Sequence, residues 1–122
     1  MIEAFVILVL THAAIDAWQL DPRRQWKIYH GWESAAYAFV CIVATLLFGW
    51  PAWWAVSLCI TTRAALFDPA LNLMRGKGLL HNGAGGSLQD RFENWTGINP
   101  LWLRIGYGAL WILNVIFYYK MI

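Results

Sequence analysis

The sequence predicts an all-α integral membrane protein, a four-helix bundle with one long glycine-rich loop on the cytoplasmic side. Of the 122 residues, 60% are hydrophobic and 13% are charged, whereas soluble domains average about 45–50% apolar and about 25% charged residues. A chain of this length buries only about two-thirds of its unfolded surface when it folds in water. So large an apolar fraction would leave wide hydrophobic patches exposed, and a lipid bilayer is the environment that suits them.

The nine tryptophans are the second observation in favour of a membrane. Indole rings prefer membrane interfaces, where the ring meets hydrocarbon and the N–H meets water. Eight of the nine cluster near the ends of the apolar segments: Trp18, Trp26, Trp32, Trp50, Trp53, Trp54, Trp95 and Trp102.

Four apolar segments form the predicted single transmembrane domain of residues 1–122, with spans at about 1–20, 30–48, 52–67 and 101–119. About 20 helical residues cross a hydrocarbon core. The first segment lacks the basic start and small-residue cleavage site of a signal peptide, so we expect it to be a span. Gly49-Trp50-Pro51 predicts a tight turn. Asp68-Pro69 predicts the cap and first residue of a new short helix, and 76–100 reads as the long glycine-rich loop.

Orientation follows from the distribution of basic residues. Four spans place the loops 21–29 and 76–100 on one side of the membrane, and both termini on the other. The loop side holds six basic residues and the other side holds Lys120. By the positive-inside rule the loops are cytoplasmic and the termini lie outside, as in a multi-pass membrane protein. The six basic residues on the loop side are Arg23, Arg24, Lys27, Arg75, Lys77 and Arg91.

Two further features narrow the functional classes. The formal net charge of +2 is too small and too scattered for a nucleic-acid-binding protein. Cys41 and Cys59 both lie within apolar segments, where a thiol usually behaves as a small hydrophobic group. Neither feature indicates a nucleic-acid partner or a special role for the thiols, so the lipid bilayer remains the expected partner.

Ionisable and polar side chains inside the spans are the candidates for function, because they are costly in lipid and usually face a partner or a site. Members of three predicted spans lie at the same depth, near the cytoplasmic side. Pairs three or four residues apart share one helix face. The set comprises His12, Asp16, His30, Glu33, Arg63, Asp68 and Asn72.

The chemistry of this set suits a divalent metal or acid–base catalysis. Imidazole and carboxylate groups bind zinc, iron or manganese, and the predicted ligands are His12, Asp16, His30, Glu33 and Asp68. A metal there could activate water against an ester or phosphoester of a lipid-like substrate. Without a metal, His12 paired with Asp16 could act as a general base. The predicted catalytic residues are His12, Asp16, His30 and Arg63, and the predicted substrate-binding residues are Asn72, Arg75, Lys77, Asp90 and Arg91.

Two alternatives to catalysis stay open. The acidic side chains could neutralise Arg and His and so fix helix packing, as in a non-enzymatic, phage-encoded or partner-binding membrane component. That alternative predicts ion pairs such as Arg63 with Asp16 or Asp68. The same groups could also line an ion or proton path. A protein partner or a homo-oligomer is compatible with each alternative.

Two short patterns resemble known families. Arg63-x4-Asp68-x3-Asn72-x3-Gly76 and Lys27-x2-His30 resemble VanZ-like membrane proteins, small polytopic bacterial proteins associated with glycopeptide resistance. The stretch 67–77, followed by Gly83 and Asp90-Arg91, resembles uncharacterised small polytopic membrane proteins of bacteria and phages. Both resemblances are compatible with a location in the bacterial inner membrane, where the predicted termini would be periplasmic. The second resemblance implies no particular activity.

Overall fold

Five helices make up nearly all of the described chain. The computed structural model describes residues 1–19, 31–78 and 88–121. These residues form α1 (Ile2–Gln19), α2 (Gly31–Phe48), α3 (Ala52–Met74), α4 (Leu88–Thr96) and α5 (Pro100–Met121), with no strand among them. The all-α prediction is confirmed, and α1, α2 and α5 begin and end within two residues of three predicted spans.

The third helix is longer than the sequence predicted. The expected end at residue 67 and the new helix at Asp68-Pro69 are wrong, because α3 continues to Met74 with Pro69 inside it. Proline removes one backbone hydrogen bond, which here does not end the helix. The helix ends where Gly76 adopts a φ of +66°. Lys77 N–H then donates to the Asn72 carbonyl at 2.8 Å and Gly76 N–H to the Leu73 carbonyl at 3.1 Å, a Schellman turn.

The predicted loop 76–100 is not loop throughout, because its last part contains α4. Residues 88–96 hold no glycine or proline, the two strongest helix breakers. Gly97, with a φ of +65°, separates α4 from α5. The Asn99 side chain accepts the N–H of Leu101 at 3.0 Å, which caps α5 ahead of Pro100 at its first position.

The third helix is central to the packing. It contacts α1, α2 and α5, and α1 also contacts α2. Gly49, with a φ of +69°, makes the short connection between α2 and α3. Buried residues of α1 recur at helical spacing along one face, at Ile2, Phe5, Val9, His12, Ala13 and Asp16. That face places His12 and Asp16 inside the bundle.

The outer surface of the bundle is strongly apolar. Many large hydrophobic side chains of α2 and α5 are exposed, including Leu46, Leu47, Leu110, Leu113 and Ile116. By length and composition, α1 and α5 could each cross a membrane, whereas the apolar part of α2, Trp32–Phe48, is shorter. Within the described ranges, length and apolar composition taken together are thus compatible with a membrane span in two of the four predicted segments.

Candidate metal centre

Two helices supply the ionisable groups of the candidate centre. His12 and Asp16 lie one turn apart on the buried face of α1, with exposures of 1% and 5%. Glu33, 8% exposed, lies in the first turn of α2. Buried ionisable groups require compensation, either from each other or from a bound ion.

The imidazole of His12 contacts polar groups through both ring nitrogens. Its Nε2 lies 2.8 Å from Glu33 Oε1 and 3.3 Å from Asp16 Oδ2. Its Nδ1 lies 2.8 Å from the Tyr37 hydroxyl oxygen. Glu33 and Tyr37 are four residues apart and therefore share one face of α2. Side chains on one face of α2 thus contact both nitrogens of the His12 imidazole.

Aromatic rings surround this polar group. The Phe67 ring centroid lies 4.3 Å from that of His12, and Trp32 and Tyr37 each lie at 5.7 Å. The guanidinium carbon of Arg63 lies 4.5 Å from the Phe67 centroid, a cation–π distance. These rings limit the access of water, so the electrostatic interactions inside are stronger than at the surface.

Two buried atoms of the His12, Asp16 and Glu33 group have no hydrogen-bond partner among the described residues. His12 Nε2 is close to two carboxylates yet makes no hydrogen bond of suitable angle, and Asp16 Oδ1 also lacks a hydrogen-bond partner. The ligand atoms of His12, Asp16 and Glu33 all lie within 4.8 Å of one another. Ligands of a tetrahedral site with bonds of about 2.0–2.1 Å lie about 3.3 Å apart. The group therefore fits a metal ion, and the same distances fit a mutual ion pair.

Three of the five predicted metal ligands converge in this way. Asp68 is not one of them, because its Oδ2 lies 3.0 Å from Arg104 Nη1. His30 lies outside the described residues. Of the predicted catalytic residues, Arg63 contacts the Phe67 ring, which also contacts His12.

The predicted substrate-binding residues lie at the end of α3 and in α4. Asn72 is buried in the last turns of α3, whereas Arg75 and Lys77 form the turn that follows. The side chains of Asp90 and Arg91 lie outside the described part of the chain. The structure therefore places three of the five within one short segment.

Sequence reasoning missed a second polar cluster. Arg104 Nη1 lies 3.0 Å from Asp68 Oδ2 and 3.3 Å from Glu93 Oε1, so it joins α5 to α3 and α4. A lone arginine in an apolar span was a sufficient signal to find it. Tyr37 was also missed, and its position one turn after Glu33 was the available clue.

Comparison with known proteins gives no further identification, because no protein-family model, curated protein or solved structure matches this chain.

Proposed function

We propose that the chain is a multi-pass protein of the bacterial inner membrane that hydrolyses an ester or phosphoester of a lipid-like substrate. In this proposal His12, Asp16 and Glu33 hold a divalent zinc, iron or manganese ion. The observation that carries it is the approach of three ligand atoms from two helices to within 4.8 Å, in a buried position.

The membrane location is supported by the outer surface of the bundle. Leu110, Leu113 and Ile116 of α5 are each about half exposed or more. Apolar area costs roughly 25 cal/mol per Å² when it faces water, so a helix with such a surface favours lipid. Because α3 packs against α1, α2 and α5, all four helices would share one membrane.

The orientation expected from the basic residues also gains support. Arg104 lies in the first turns of α5, near the loop that precedes it, and adds a seventh basic residue to the proposed cytoplasmic side. The termini would then be periplasmic. In this orientation the His12 group would lie near the cytoplasmic side, since α1 approaches its C-terminal end there and α2 begins there.

The ligand set supports hydrolytic chemistry. One imidazole and two carboxylates suit zinc, iron and manganese. Three protein ligands leave a fourth position for water, and a divalent ion supplies an activated water at neutral pH. His12 Nδ1–H would donate to Tyr37, which directs Nε2 toward the ion. Arg63 is the nearby cation that could hold the negative charge of a phosphoester.

A second candidate function is favoured by the same short distances. His12 forms ion pairs with both Asp16 and Glu33. A charged imidazole between two carboxylates would fix α1 against α2 without any metal. The chain would then be a non-enzymatic membrane component, such as a phage-encoded or partner-binding subunit.

Elemental analysis of the detergent-purified protein separates the two candidates. Glu33→Gln and Glu93→Gln are matched variants, since each changes one buried carboxylate to an amide of equal size. The metal proposal expects a near-stoichiometric ion in the wild type and in Glu93→Gln, and its loss in Glu33→Gln and His12→Ala. Circular dichroism checks that each variant is folded.

The hydrolase assignment needs its own measurement. The metal-loaded wild type and Glu33→Gln are compared on a panel of fluorogenic lipid esters and phosphoesters in micelles. We expect turnover by the wild type alone. A metal-free wild type would support the structural candidate, and a metal-loaded protein without turnover would leave a metal site that is not a hydrolase.

A further inference from the structure

The short helix α4 presents two aromatic rings on its outer side. Phe92 is 50% exposed and Trp95 is 82% exposed. The two residues are three apart and therefore neighbours on one helix face, with ring centroids 6.4 Å from each other. Apolar residues near the start of α5, Ile98 and Trp102, are exposed as well and extend this surface.

A different side of α4 is fixed to the bundle. Glu93 is buried, and its Oε1 lies 3.3 Å from Arg104 Nη1 on α5. Successive helical residues are about 100° apart, so Glu93 points well away from the direction of Phe92 and Trp95. The ion pair therefore sets the rotation of α4 and holds its aromatic face outward.

We propose that α4 lies in the headgroup region of the leaflet where α5 begins, with Phe92 and Trp95 inserted into the lipid. This inference rests on the proposed membrane location. Nine residues of helix measure about 13 Å, too short to cross a hydrocarbon core of about 30 Å. Trp95 and Trp102 occupy the two sides of the connection into the span, the usual depth of an aromatic belt.

The chemistry of α4 indicates which lipid it meets. The helix contains Asp90, Arg91 and Glu93, so it carries a formal charge of −1 from one basic and two acidic residues. Attraction to anionic headgroups therefore contributes little, and aromatic insertion dominates. Zwitterionic phosphatidylcholine is sufficient, and the face should reach about 5–10 Å into the headgroup and acyl boundary.

Site-directed fluorescence tests this placement. Cys41 and Cys59 are first changed to alanine, and the full chain is placed in phosphatidylcholine nanodiscs. Single-cysteine variants carry a polarity-sensitive dye. Phe92→Cys and Trp95→Cys report on the aromatic face, and each leaves the other ring in place. Asn94→Cys is the matched control on another exposed side of α4, and Leu110→Cys reports on the middle of α5.

The expected result is loss of emission from the Phe92→Cys and Trp95→Cys probes with a nitroxide on the lipid headgroup, and little loss with one deep in the acyl chain. The Asn94→Cys probe should respond instead to a water-soluble quencher. Quenching of the Phe92→Cys and Trp95→Cys probes by the water-soluble quencher overturns the inference. Protection of these probes from the water-soluble quencher and from the headgroup nitroxide also overturns it, and would indicate that a protein partner or a second copy covers the aromatic face. If the Leu110→Cys probe also fails to meet lipid, the membrane location itself is wrong.

Discussion

Removing the positive charge of Arg104 tests the second polar cluster. Arg104→Met keeps a long unbranched side chain and deletes the cation that two acidic groups share. The Arg104 side chain is 10% exposed and that of Glu93 is 1% exposed, so this pair is buried, whereas Asp68, 18% exposed, forms a partly buried pair. The variant leaves Asp68 and Glu93 as two neighbouring carboxylates without their shared arginine.

The size of the effect follows from the distances. At an effective dielectric constant of about 20, unit charges separated by the 3.0 Å and 3.3 Å observed here attract by about 5 kcal/mol each. Desolvation offsets much of this attraction, and breaking a buried ion pair typically costs about 3–5 kcal/mol. We expect a loss of about 4 kcal/mol in the free energy of unfolding, because the deletion breaks the buried pair with Glu93, while the more exposed pair with Asp68 adds little.

Reversible unfolding in mixed micelles, followed by circular dichroism, measures this loss. Lys120→Met is the matched control, because it removes an exposed cation from the same helix and should change stability by no more than about 0.5 kcal/mol. The triple variant Arg104→Met, Asp68→Asn, Glu93→Gln should recover most of the loss, since no buried charge is then left without its partner. A loss below about 1 kcal/mol, or no recovery in the triple variant, would falsify the assignment of a buried charge cluster.

The remaining predictions concern the candidate centre and the end of α3. If His12 binds a metal, Tyr37→Phe should weaken its affinity about 10- to 100-fold, because the hydroxyl orients the imidazole. Competition with a chelating dye measures this, and an affinity equal to that of the Tyr118→Phe control would contradict it. Gly76→Ala should cost about 1 kcal/mol or more, because alanine is strained at a φ of +66°. Gly106→Ala, in a helix with open space around it, should stabilise slightly in the same unfolding assay, and equal effects at both sites would refute the argument.

Much of the local structure was predictable because its signals are local. Gly49 and Gly76 mark helix ends, where a left-handed conformation favours glycine, and Asn99-Pro100 marks a helix start. The apolar segments gave the bounds of α1, α2 and α5 and the start of α3, whereas α4 lies in the predicted loop. Pro69 led to the wrong end for the third helix. A proline marks a helix boundary only where other interactions do not keep the flanking residues helical.

The sequence also selected most of the candidate centre. His12 and Asp16, four residues apart, were expected to share a helix face, and a common depth suggested that Glu33 would join them. The structure bears out that convergence. Their chemical role stays a proposal, because the distances of an ion pair and those of a metal ligand set are similar.

Only the tertiary structure decided which polar groups are partners. The first helix is apolar around most of its circumference, so its pattern did not reveal which apolar residues share the buried face with His12 and Asp16. Asp68 pairs with Arg104 rather than joining the His12 group, because the rotation of α3 and the position of α5 determine which side chains meet. Helix periodicity fixes relations within one helix, whereas pairing between helices depends on packing angles that distant parts of the chain set together.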